Sequence, residues 1–137
     1  MKSRRIAIRH PHKKEPVLWV IDSEQWPRAL LRAELIERGY DPYGFISISD
    51  ALDSLSQRAW EKPQAIILEL RGQNLTNKSV EAIGKSRIPT VVLGGAPELI
   101  DPLIKKEKWD VVLKRPVSLG KIVDVVQQII SKRRKAA

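Results

Sequence analysis

The sequence predicts an α/β domain of the doubly wound kind, five parallel strands with helices on both faces of the sheet. Three observations carry this reading. Short apolar runs alternate with helix-spaced stretches five times along the chain, the pattern of a parallel sheet with crossover helices. One of those runs, Ala65–Leu68, is apolar at every position and bounded by Pro63 and Gly72, as a strand buried on both faces would be. A chain of 137 residues with 42% hydrophobic content suits one domain with a proper core.

Each element follows from its own stretch. "VLWVID", Val17–Asp22, is a short apolar run ending in an acid. In "EQWPRALLRAELIERGY" the residues Leu30, Leu31, Leu35 and Ile36 recur at helical spacing. Pro27 suits a first helical turn and Gly39 a helix stop. "DPYGFISIS" reads as a weaker strand with Tyr43, Phe45 and Ile46 in it. "SDALDSLSQRAW" reads as a helix with Ser49 as N-cap and Ala51, Leu52 and Leu55 on one face. "AIILEL" is the third strand, and "NKSVEAIGKSR" a short, poor helix. "IPTVVLGG" is the fourth strand. "APELIDPLIKKEKW" is a helix disturbed at Pro102. "DVVLKRP" is the fifth strand, and "SLGKIVDVVQQIISKRRK" the last helix, with Ser118 as N-cap.

The charge lies at the ends. The net charge is +9. Residues 1–15 carry six basic side chains and one acid, and Lys132–Lys135 carry four more basic ones. The remaining 16–131 hold fifteen of each sign. This divides the chain into a basic N-terminal tail (1–15), a domain (16–131) and a basic C-terminal tail (132–137). It speaks against a DNA-reading body, while the tails could bind nucleic acid or anionic lipid. No run has the length of a membrane span, and the N-terminus lacks the apolar region of a secretory signal. Without cysteine there are no disulfides and no thiolate metal sites, which fits a cytoplasmic protein.

In a doubly wound sheet, ligands sit at the carboxyl ends of the strands. Those ends bring Asp22, Ser23, Glu69, Gly94 and Arg115 to one edge. Glu69 is the odd member, because an acid leaving a buried strand needs a partner. No glycine follows the first strand, so neither a P-loop nor a dinucleotide fingerprint is present. Both histidines, His10 and His12, lie in the N-terminal tail, away from any triad or third metal ligand.

On these residues the chain resembles the response-regulator receiver domain, the phosphoacceptor module of two-component signalling, over residues 16–131. "LWVIDSE" falls on that family's first strand and acidic pair, and "SDALDSL" on its second helix. "PQAIILEL" falls on the strand that presents the phosphoacceptor, and "IPTVVLGG" and "VLKRP" on strands four and five. The stretch from Glu69 to Ile88 is several residues short. The resemblance implies a flavodoxin-like receiver fold and no enzyme activity of its own.

The departures imply a degenerate member, a pseudo-receiver. The adjacent acids that hold a divalent cation become Asp22-Ser23, and the acceptor aspartate becomes Glu69. The switch hydroxyl becomes Gly94, the lysine before proline becomes Arg115, and the switching aromatic becomes Val112. Mg²⁺ takes its charge from carboxylates in near-octahedral geometry, so Ser23 weakens that site and the family's cofactor is expected to be lost. A lengthened nucleophile is misplaced for in-line phosphoryl transfer. Glu69 is instead expected to pair with Arg115, which can hold a carboxylate as lysine cannot.

The expected function is phosphorelay-type signalling by protein–protein interaction, with a histidine kinase or an output domain as partner. The face expected to meet it holds Leu99, Leu103, Trp109, Val112 and Val125, with Ile104. Two alternatives stand beside this one. The first is a working receiver that takes phosphate from a histidine kinase. The second is an adaptor whose basic tails bind nucleic acid or membrane.

Overall fold

The computed structural model describes residues 14–57 and 61–136. Most of the N-terminal tail therefore lies outside the described residues. The strands are β1 (Val17–Ile21), β2 (Asp41–Phe45), β3 (Ala65–Glu69), β4 (Thr90–Gly94) and β5 (Val111–Lys114). The helices are α1 (Gln25–Glu37), α2 (Ile48–Leu55), α3 (Asn77–Gly84), α4 (Ala96–Leu99), α5 (Pro102–Lys105) and α6 (Leu119–Ala136).

The strands form one sheet in the order β2-β1-β3-β4-β5, and every neighbouring pair is parallel. β1 and β3 are buried at every position, as strands covered on both faces must be. Alternate residues serve opposite cores. Leu18, Val20, Ile67 and Val91 pack with Leu31 and Leu35 of α1 and with Val123 and Val126 of α6. Trp19, Ile21, Ile66 and Leu68 pack with Ile48 of α2, Val80 and Ile83 of α3 and Ile104 of α5. Trp19 stacks obliquely on Phe45 with ring centroids 4.8 Å apart.

β2 is an edge strand, which is where a proline such as Pro42 is tolerated. The aliphatic stems of Arg28 and Arg32 lie over its Gly44, and the Arg32 Nε donates to the Pro42 carbonyl at 3.2 Å.

Several sequence expectations are corrected. Leu30 is 50% exposed, because α1 turns Leu31 and Leu35 to the sheet and leaves Leu30 beside the exposed Trp26, four residues earlier. Ile46 lies past the end of β2, 57% exposed. The Gln73 side chain holds the chain there, donating to the Ile46 carbonyl at 2.9 Å and accepting from the Ile48 amide at 3.0 Å. α2 consequently starts earlier, and its cap is Ser47, which accepts from the Asp50 amide at 3.1 Å, rather than Ser49.

Asp101 is extended and splits the helix expected around Pro102 into α4 and α5, capping the second through the Leu103 amide at 2.9 Å. α6 starts where Ser118 accepts from the Lys121 amide at 3.1 Å. It then runs to Ala136, past the boundary expected at 131. Lysine and arginine are good helix formers, and their charge favours a helix C-terminus. Arg133 also donates to the Arg87 carbonyl at 3.1 Å.

Candidate functional site

β1 leads outward to β2, and the chain then returns past β1 to β3, so strand order reverses between β1 and β3. A crevice at such a reversal, beyond the carboxyl ends of the strands, is where doubly wound sheets carry their sites. Ile21 pairs with Leu68 in the β1–β3 register, which sets the next residues, Asp22 and Glu69, side by side. Both are buried, at 5% and 4% exposure, so each carboxylate needs compensation.

Glu69 is held through both oxygens. Its Oε2 accepts from the Arg71 amide at 3.0 Å, and its Oε1 lies 3.5 Å from the Arg115 Nε. The second contact is an ion pair without a hydrogen bond, since the buried Nε–H has no acceptor in line. Burial pushes the Glu69 carboxyl above its ordinary value of 4.5. The Arg71 amide, then the Arg115 and Arg71 guanidinium groups, offset part of that rise, and neighbouring Asp22 adds to it. Arg115 also reaches Glu98, with Nη2 3.4 Å from Oε1. That same oxygen accepts from the Gly95 amide at 2.7 Å, and chiefly for this reason the Glu98 carboxyl sits below its ordinary value.

Arg71 is the cation at this edge that sequence reasoning missed. Its Nη2 is 3.4 Å from both oxygens of Asp22, and its Nε is 3.0 Å from Glu24 Oε2. Its carbonyl accepts from the Ser23 hydroxyl at 3.0 Å. Asp22 also accepts from the Glu24 amide at 2.9 Å, and its carbonyl takes a 2.7 Å bond from Arg28. The available signal was a basic residue two positions after the odd acid, in "ELRG".

The glycines at this edge mark close packing. Gly72 has φ +76°, and a Cβ there would stand 2.2 Å from the Ser23 hydroxyl. At Gly94 a Cβ would meet Leu70 Cδ1 and Leu99 Cδ2, each at 3.2 Å. The space next to the end of β4 is thus filled by leucine. The five residues expected at this edge come together there, and Arg71, Glu24 and Glu98 join them.

The residues expected on a partner face do not form one surface. Val125 is buried at 5% exposure in the α1–α6 core, across the sheet from the others, and Ile104 is core as well. Leu99, Leu103 and Trp109 pack partly against the second core, and the Trp109 indole donates to the Ile104 carbonyl at 2.9 Å. Val112 is 48% exposed on edge strand β5, because its neighbours Val111 and Leu113 turn inward. These placements follow from the pleat and the helix period, which send alternate residues to opposite sides.

No protein-family model matches the chain, and no curated protein matches it. Solved structures do. A CheY-like response-regulator receiver domain protein from Methanospirillum hungatei JF-1 superposes with a TM-score of 0.76 at 11% identity, over 90% of this chain and all of that one. The receiver domain of the Francisella response regulator 1452 gives 0.71 at 18%, over 88% and 99%. NtrX from Brucella abortus gives 0.68 at 20% over 90% of this chain, which spans 29% of that longer one. The likeness is one of fold: the chain adopts the flavodoxin-like receiver fold. Among the described residues no helix is long and apolar enough to cross a membrane.

Proposed function

We propose that this receiver-fold domain acts in signalling by binding another protein, without taking a phosphoryl group on its own acceptor position. One observation carries the reading: both oxygens of Glu69 are engaged, by the Arg71 amide and by Arg115. A nucleophile must be free and aligned for in-line attack, and the engagement of this carboxylate supports the absence of transfer. Leucine packing at Gly94 supports the same reading, since no hydroxyl is available there to close on a phosphoryl group. A histidine kinase or an output domain is the class of partner that fits.

The receiver fold implies a divalent cation, and this pocket does not fit one. Mg²⁺ needs oxygen ligands with free charge. Asp22 is already paired through both oxygens, and Ser23 has turned its hydroxyl to a backbone carbonyl. Among the described residues no three acidic or imidazole side chains converge as a metal-holding group.

The test is incubation with acetyl phosphate and Mg²⁺, followed by intact-mass analysis. No phosphoryl increment is expected, and beryllofluoride should leave the amide NMR spectrum unmoved. Stable phosphate on Glu69 would replace this reading with that of a working receiver.

A further inference from the structure

We infer that the Arg71 guanidinium is a built-in cation, standing where the receiver fold would put a divalent metal and keeping metal out. The inference deepens the reading of the pocket as closed to phosphorylation and rests on it. It comes from the placement of one side chain that the fold alone does not require.

The two buried acids of the crevice, Asp22 and Glu69, would repel each other if both were charged without a counter-ion. Two guanidinium groups balance them. Arg115 approaches from the β5 side and takes Glu69 together with Glu98. Arg71 approaches from the loop after β3 and takes Asp22 together with Glu24. The carboxylate that a metal would require thus already faces a tethered positive charge, which loses little entropy on binding because it belongs to the chain.

The backbone around Arg71 is fixed to match. Its amide holds Glu69, its carbonyl holds Ser23, and Gly72 takes the left-handed conformation that lets the two loops close. The Ser23 hydroxyl is thereby directed at the loop rather than into the crevice. The side chain is 30% exposed, so its outer edge meets water while Nη2 reaches the buried acid. A metal ion at Asp22 would have to displace it against Coulomb repulsion at short range.

The experiment titrates Mn²⁺ into the full chain, read by electron paramagnetic resonance, and Mg²⁺, read by calorimetry. The unmodified protein and Arg71→Lys should show no saturable binding. Arg71→Met, with its fold verified by circular dichroism, should gain saturable Mn²⁺ binding, at least roughly tenfold tighter than the detection limit that bounds the unmodified chain, since the repulsion is gone and Asp22 is freed. An Arg71→Met protein that folds and binds no better than the unmodified chain would overturn the inference. Should that variant not fold, the guanidinium NMR signals of Arg71 in the unmodified protein decide. They should stay put as Mg²⁺ is added, and their displacement would count against the idea. Phosphate uptake by the unmodified chain would instead sink the closed-pocket reading, so the two failures are distinguishable.

Discussion

Arg115 and Glu69 meet across an intervening strand. The guanidinium, carried just past β5, places Nε 3.5 Å from the Oε1 at the end of β3, with β4 between them. Removing one partner of a buried pair leaves the other charge without compensation. Arg115→Met should therefore lower stability at pH 7 by about 2–4 kcal/mol in urea denaturation. Arg115→Lys, which keeps the charge and loses the fork, should cost less. A loss under about 0.5 kcal/mol for Arg115→Met would show the pair to be as weak as a surface one.

The two acids around Arg115 respond to pH in opposite directions. Glu69 is raised above 4.5 in the folded state, so the folded protein binds its proton more tightly than the unfolded chain does. Its contribution to stability therefore falls as pH rises from 4.5 through the folded value. Glu98 is lowered, so its contribution is present above 4.5 and is lost as pH falls through the folded value. Glu69→Gln should thus gain stability relative to the parent as pH climbs above 4.5. Glu98→Gln should lose stability relative to the parent over the rise to that pH. Urea midpoints between pH 3 and pH 8 measure both, and parallel profiles for parent and variants would contradict the assignment.

Gly72 and Gly39 separate backbone strain from steric conflict. Both have positive φ, +76° and +92°, but only Gly72 has a neighbour where a Cβ would go. Gly39→Ala should cost about 1 kcal/mol, the left-handed penalty alone. Gly72→Ala should cost more, about 2–3 kcal/mol, because Ser23 must also move. Equal losses in thermal or urea unfolding would mean that the loop gives way freely.

The cap of α2 offers a local test. Ser47→Ala should cost about 1 kcal/mol by removing the acceptor for the Asp50 amide. Ser49→Ala should be neutral or slightly stabilising, since Ser49 lies in the first turn, where alanine is the better helix former. The reverse order would move the helix start to the position the sequence suggested.

The sequence alone determined the five βα units and the edge on which the candidate site lies. Strand and helix periods are local, and proline and glycine punctuate them. Parallel topology then forces the carboxyl ends of all strands to one side, so Asp22, Ser23, Glu69, Gly94 and Arg115 could be grouped without coordinates. Tertiary structure decided the finer matters. Helical spacing could not say whether Leu30 or only Leu31 faced the sheet, because the rotation of α1 is set by what it packs on. Ser47 and Ser49 are equivalent as capping residues, and the choice came from Gln73, a residue of another loop that fixes where β2 stops. The direction in which Arg71 points was open in the sequence for the same reason. A long cation in a loop can turn to water or inward, and its direction depends on two carboxylates far away in the chain that folding brings within 3.4 Å and 3.0 Å of it. Periodicity is written residue by residue, whereas the partner of a buried charge is a property of the packed molecule.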